Sequence, residues 1–116
     1  MNKWDSIMKP FNLENITEIN ISGKHIEEIP SWININCVNL KILRCNNNKL
    51  ISLPETLPPN LEELDCSNNP FNCLPSNLPP NLQELYCSRN QLNSLPSTLP
   101  SNLQELDCSY NKLTSL

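Results

Sequence analysis

Residues 61–69 read Leu61-Glu62-Glu63-Leu64-Asp65-Cys66-Ser67-Asn68-Asn69, and within them apolar and polar side chains alternate. Leu64 and Cys66 fall on one side of an extended chain, Glu63, Asp65 and Ser67 on the other. A period of two is that of a short β-strand with one buried and one solvated face. Asn69 closes the stretch with an amide that both donates and accepts hydrogen bonds, a group suited to satisfying backbone where a strand turns.

The same stretch recurs. Segments starting at Leu40, Leu61, Leu82 and Leu103 stand a constant 21 residues apart and share L-x-x-L-x-C-x-x-N; the last stops partway through its unit. A more divergent unit begins at Ile16, continues through Ile19, Ile21, Ile26 and Ile29-Pro30, and gives way to the next 24 residues later. Repeat starts therefore lie at 16, 40, 61, 82 and 103. A unit this short cannot bury its own apolar face, but stacked neighbours turn the recurring leucines into continuous buried ladders. Successive strands should stack in parallel. Five of them, at roughly 4.8 Å each, make a concave face about 20 Å from first to last.

The links between strands are rich in proline, as in Leu53-Pro54-Glu55-Thr56-Leu57-Pro58-Pro59-Asn60, while the chain of 116 residues holds 11 prolines and one glycine. Proline favours extended connections over tight glycine turns, so the convex side should be polyproline-like or 3₁₀, with Leu57, Leu78 and Leu99 tucked inward. The first link, Ser31 to Asn39, is longer and carries Trp32, Ile33 and Ile35, which predicts a helical or 3₁₀ turn there. Asn48, Asn69, Asn90 and Asn111 form a structural ladder one period apart. Lys24 replaces this asparagine in the first unit, whose turn must close differently.

L-x-x-L-x-L/C-x-x-N-x-L resembles the pattern of the leucine-rich-repeat superfamily over residues 16–116. The LPxxLPxNL continuation is similar to the short-repeat subclass found in bacterial effectors of the YopM and IpaH type. The resemblance implies an α/β-class horseshoe arc, a leucine-rich-repeat solenoid, that serves as a non-enzymatic protein-interaction module. Its asparagines are implied to be buried and to serve the backbone. Effector ligases of this kind carry a nucleophilic cysteine on a separate C-terminal domain; nothing in this chain lies beyond the repeats to supply one, so that activity does not carry over. The remaining alternatives are the substrate-recognition part of such a ubiquitin-ligase-like effector and a self-assembling structural repeat.

A formal charge of −4 with no basic stripe argues against nonspecific binding to nucleic acid or anionic membrane. Without a secretory signal or an apolar span the default location is the cytoplasm, or a host's cytoplasm if the source is an intracellular pathogen or virus. Of six cysteines, Cys45, Cys66, Cys87 and Cys108 occupy the inward strand position and should be free buried thiols in a reducing compartment. Cys37, in the divergent link, and Cys73, where other units have Ser52, Ser94 and Ser115, are the candidates for reactivity. There is no C-x-x-C pair and His25 is the sole histidine, so no metal, cofactor or cysteine–histidine catalytic pair is expected.

The concave face should collect Glu18, Ile42, Glu63, Glu84 and Glu105 in one row and Asn20, Arg44, Asp65, Tyr86 and Asp107 in the next, flanked by Arg89 and Tyr110. From these, Arg44, Glu63, Asp65, Glu84, Tyr86, Arg89, Glu105, Asp107 and Tyr110 are the candidate partner-binding residues. Stacked like charges repel, which favours a basic protein partner over a merely solvated face. Residues 1–15 precede the repeats as a cap: Trp4, Ile7, Met8 and Phe11 follow helical spacing, and Pro10 should end any helix near Lys9. The other end has no such cover, which leaves Leu113 and Leu116 partly exposed and raises the expectation of a truncated chain or end-to-end self-association.

Overall fold

The structure, a computed structural model, describes Trp4 and residues 13–114. Five strands form one parallel sheet in chain order: β1 Glu18–Asn20, β2 Ile42–Arg44, β3 Glu63–Asp65, β4 Glu84–Tyr86 and β5 Glu105–Asp107. Each has only three residues, and its central side chain points into the solenoid. Ile19, Leu43, Leu64 and Leu85 are buried in register with one another, while Leu106, at the end of the sheet, is 38% exposed.

Behind the sheet the apolar positions of each unit meet those of its neighbours in one core. Leu40, Leu61 and Leu82 start their units fully buried; Cys45, Cys66 and Cys87 follow the strands; Leu50, Phe71 and Leu92 close the next layer. Leu57 and Leu78 are buried from the convex side and Leu99 partly so. Each proline-rich link ends in one hydrogen-bonded turn, in which the amide of Leu61, Leu82 or Leu103 donates to the carbonyl of Pro58, Pro79 or Pro100 at 3.2 Å. The longer first link contains a single helical turn, α1 Ile33–Asn36, whose Ile33 is buried and whose Ile35 faces water.

The asparagines tie consecutive units together. Asn69 Nδ2 donates to the carbonyls of Cys45 in the preceding unit and of Cys66 and Ser67 in its own, while its Oδ1 accepts from the Leu50 amide. Asn48, Asn90 and Asn111 repeat the pattern, reaching back to Ile21, Cys66 and Cys87. The first unit lacks this asparagine. Its Lys24 and Ile26 amides donate to Asn48 Oδ1 of the next unit, and its turn uses left-handed backbone at Gly23 (φ 65°) and His25 (φ 58°).

At the first unit's end, Trp4 is buried, donates from Nε1 to the carbonyl of Glu28 at 2.8 Å, and meets Trp32 edge-on with centroids 6.2 Å apart. A short 3₁₀ turn, Leu13–Asn15, leads into β1. Ile7, Met8, Lys9, Pro10 and Phe11, on which the expected cap helix rests, lie outside the described residues, as does Leu116. At the opposite end Leu103, Cys108 and Leu113 are half-buried against the core.

Leu85→Ala removes a fully buried ladder side chain and is expected to lower stability by roughly 2–5 kcal/mol. Asn69→Ala strands buried carbonyls and an amide and should cost about 2–4 kcal/mol, whereas Asn111→Ala, whose partners approach solvent, should cost about 1 kcal/mol. Urea titration of the three variants checks the ranking. Equal losses at Asn69 and Asn111 would contradict the burial gradient along the ladder.

Candidate functional site

Strand pairing places Glu18, Ile42, Glu63, Glu84 and Glu105 side by side on the concave surface, with Asn20, Arg44, Asp65, Tyr86 and Asp107 in the adjacent row. In-register parallel strands carry equivalent side chains about 4.8 Å apart, so the glutamates at 63, 84 and 105 are immediate neighbours. Their repulsion is met locally. Arg44 Nη1 lies 2.5 Å from Glu18 Oε2 and Nη2 lies 3.2 Å from Glu63 Oε2, so one guanidinium bridges two carboxylates. The Tyr86 hydroxyl sits 2.8 Å from Glu84 Oε1 and 2.8 Å from Glu105 Oε2 and donates to this pair. These bonds to Glu105 and Glu84 hold the phenol well above its ordinary pKa.

The second row alternates in what it does. Arg44 and Tyr86 reach sideways to glutamates, whereas Asn20, Asp65 and Asp107 fold back on the end of their own strand. Asp65 Oδ1 accepts from the amide of Ser67, and Asp107 Oδ1 accepts from both the amide and the hydroxyl of Ser109. Asn20 does the same for Ser22. The Ser109 hydroxyl and amide bonds lower the Asp107 pKa, with a further contribution from the charge of Arg89. Asp65 and Asp107 thus double as turn-forming residues, a role legible in the D-x-S spacing but absent from the charge-row reading.

Arg89 and Tyr110 stand beyond the strands on a second ladder. Gly23, Asn47, Asn68, Arg89 and Tyr110 occupy equivalent turn positions, all with φ between 55° and 65°. Glycine and asparagine tolerate that conformation; for other L-residues it costs about 1–2 kcal/mol. Asn68 Nδ2 donates to Asn47 Oδ1 along this ladder. In the last two units the link is replaced by a cation–π contact, with Arg89 Cζ over the Tyr110 ring 4.4 Å from its centre. Such a contact is worth about 0.5–1 kcal/mol in water, less than the backbone strain of two residues. The period aligns Arg89 with Asn68, but the alignment reveals the strain only once that turn is known to be left-handed.

All nine candidate residues therefore line one continuous surface, seven on the strands and two on the adjoining turns. Arg44, Glu63, Asp65, Glu84 and Tyr86 are half-buried; Arg89, Glu105, Asp107 and Tyr110 are exposed. Among the described residues no cluster of three or more histidine, cysteine, aspartate or glutamate side chains has metal-binding geometry. No helix among them is long and apolar enough to cross a membrane.

The cysteines are free thiols. Burial raises the pKa of Cys45 and Cys66 and pushes Cys87 up to about 12. The expectation for Cys37 is corrected: the residue caps the C-terminal end of α1 and is buried in the core with no exposed surface, and burial raises its pKa, so it is sheltered from the solvent reagents that a reactive thiol must meet. Cys73 is exposed.

The Leucine Rich Repeat family pattern matches residues 60–80, 81–101 and 102–116. The chain is a leucine-rich-repeat solenoid built from short, 21-residue units. Among solved structures it is similar to a Shigella effector leucine-rich-repeat domain, at 31% identity and TM-score 0.84, covering 96% of this chain and 48% of that one. It is also similar to YopM from Yersinia pestis (34% identity, TM-score 0.64, 87% of this chain and 33% of that one) and to YopM from Yersinia enterocolitica WA-314 (33%, 0.59, 87% and 25%). The chain thus spans about half the length of the Shigella structure and less of the two YopM structures. No curated protein sequence matches it significantly. Repeat domains of this effector-like class are typical protein-interaction modules.

Exposure predicts the order of thiol modification. In the native protein a colorimetric disulfide reagent should react first with Cys73 and more slowly with half-buried Cys108, and should reach Cys37, Cys45, Cys66 and Cys87 only on unfolding. Rapid native labelling of Cys37, read by peptide mass spectrometry, would overturn its placement in the core.

Proposed function

We propose that this chain is a non-enzymatic binding module whose concave sheet takes a basic surface of a partner protein, centred on β3 to β5. One observation carries the reading. Glu84, Glu105, Asp65 and Asp107 share that face with no cationic group within salt-bridge distance among the described residues, whereas Glu18 and Glu63 are paired to Arg44. Carboxylates without an ion-pair partner, arrayed along adjacent strands, steer an oppositely charged partner and set its register more than they add raw affinity. The effector-like likeness supports a recognition role, including recognition on behalf of a larger effector, and the protonated buried thiols suit a reducing cytoplasm, the chain's own or a host's.

A second reading, end-to-end association, is supported by the exposed Leu106 and half-buried Leu103, Cys108 and Leu113 on the β5 side. Parallel edges with open leucine positions accept further strands.

Affinity capture from a native or host lysate tests the first reading, comparing the unaltered protein with Glu84→Lys/Glu105→Lys and with Glu27→Lys, a charge reversal outside the strands. Partners should be lost on the double variant, kept on Glu27→Lys, and weakened roughly tenfold or more by raising salt from 50 to about 300 mM. An unchanged partner set on the double variant would remove the concave face from the proposal. For the second reading, light scattering should show a mass that rises with concentration; a strict monomer throughout rules it out.

A further inference from the structure

We infer that Arg89 and Tyr110 form a carboxylate-binding corner beside the acidic rows, so that the partner segment is bipolar: basic where it crosses Glu84 and Glu105, with an aspartate or glutamate seated on Arg89. The inference rests on the concave-face reading above and names the chemistry of its partner.

The two arginines of this surface are used in opposite ways. Arg44 spends both terminal nitrogens on carboxylates of its own sheet. Arg89 forms no salt bridge among the described residues; its Cζ lies over the Tyr110 ring, 4.4 Å from the centroid, and Asp107 is close enough to feel its charge without pairing. A guanidinium held over the ring by a cation–π contact keeps N–H donors free for two-pronged binding of a planar anion, and the contact favours one placement of an otherwise flexible side chain. Pre-orientation reduces the freedom lost on binding. Tyr110 is 71% exposed, so the ring is presented to solvent and not packed into the core.

Both residues hold left-handed backbone where equivalent units use glycine or asparagine. A mere surface staple is already available in the asparagine pair of the preceding units. Backbone strain kept at two adjacent exposed positions, in favour of a cation and an aromatic ring, marks them as a place where binding is made. The surrounding Glu84, Glu105 and Asp107 select the anion. A phosphate group, with charge near −2, meets more repulsion there than a carboxylate whose own neighbours in the partner are basic.

A random dodecapeptide display library selected on the full 116-residue chain tests this. Enriched peptides should carry lysine or arginine together with one acidic residue at a fixed spacing. In a synthetic peptide from that pool, replacing the acid by its amide should weaken binding to the unaltered protein roughly tenfold. The same replacement should have little effect on Arg89→Asn, a variant that restores the residue type of the preceding turns and should fold. Basic peptides without an acidic preference, or an equal loss on both proteins, would overturn the carboxylate corner alone. Enriched peptides lacking basic residues would overturn the concave-face reading and this inference with it.

Discussion

The asparagine amide at the end of each strand is the bond on which the solenoid depends. A three-residue strand has too few ladder hydrogen bonds to define its own position, and the 21-residue unit around it has no core of its own. Asn48, Asn69, Asn90 and Asn111 each reach a carbonyl of the preceding unit and carbonyls of their own, so the amide is a spacer as well as a cap. Because every buried side-chain polar atom among the described residues finds a partner, the leucines behind this turn can be fully dehydrated. The packing of Leu61, Leu64 and Phe71 against adjoining units follows from that spacing.

The same spacing makes the outer surface. Once Leu64 and Leu85 are in register, Glu63 and Glu84 must be neighbours, whatever their mutual repulsion. The chain meets the constraint with side chains from the adjacent row: Arg44 toward β1 and β3, Tyr86 toward β4 and β5. The two solutions are not equivalent. A guanidinium cancels charge, whereas a phenol satisfies hydrogen bonding and leaves the charge in place. The ion-paired carboxylates of the concave face therefore lie toward β1 and β3, and those that are hydrogen-bonded without being ion-paired lie toward β4 and β5.

Most of the architecture was legible because a repeat tests each assignment several times over. The alternation in residues 61–69 is ambiguous alone, but its return at 82–90 and 103–111 separates inward Leu85 from outward Glu84 and Tyr86. The rows of the candidate surface follow directly, since strand side chains have only two sides. Positions outside the period were harder. Cys37 lies in the irregular first link, where no equivalent residue reveals its direction, and a cysteine there reads equally well as exposed or buried. Arg89 aligns with Asn68, yet its left-handed backbone is conspicuous only once the turn at Asn68 is known to be left-handed.

What the sequence by itself determined is the solenoid, its five strands, its ladders of leucine, cysteine and asparagine, and the acidic cast of its concave face, because each is a consequence of periodicity and of which residue types prefer water. What only the tertiary structure decided is which of those charges are already engaged. Whether Arg44 spans two strands, Tyr86 reaches Glu105, or Arg89 lies over Tyr110 depends on distances between side chains of different units. Those distances are set by the stacking of the repeats and leave no mark in the order of residues along any one of them.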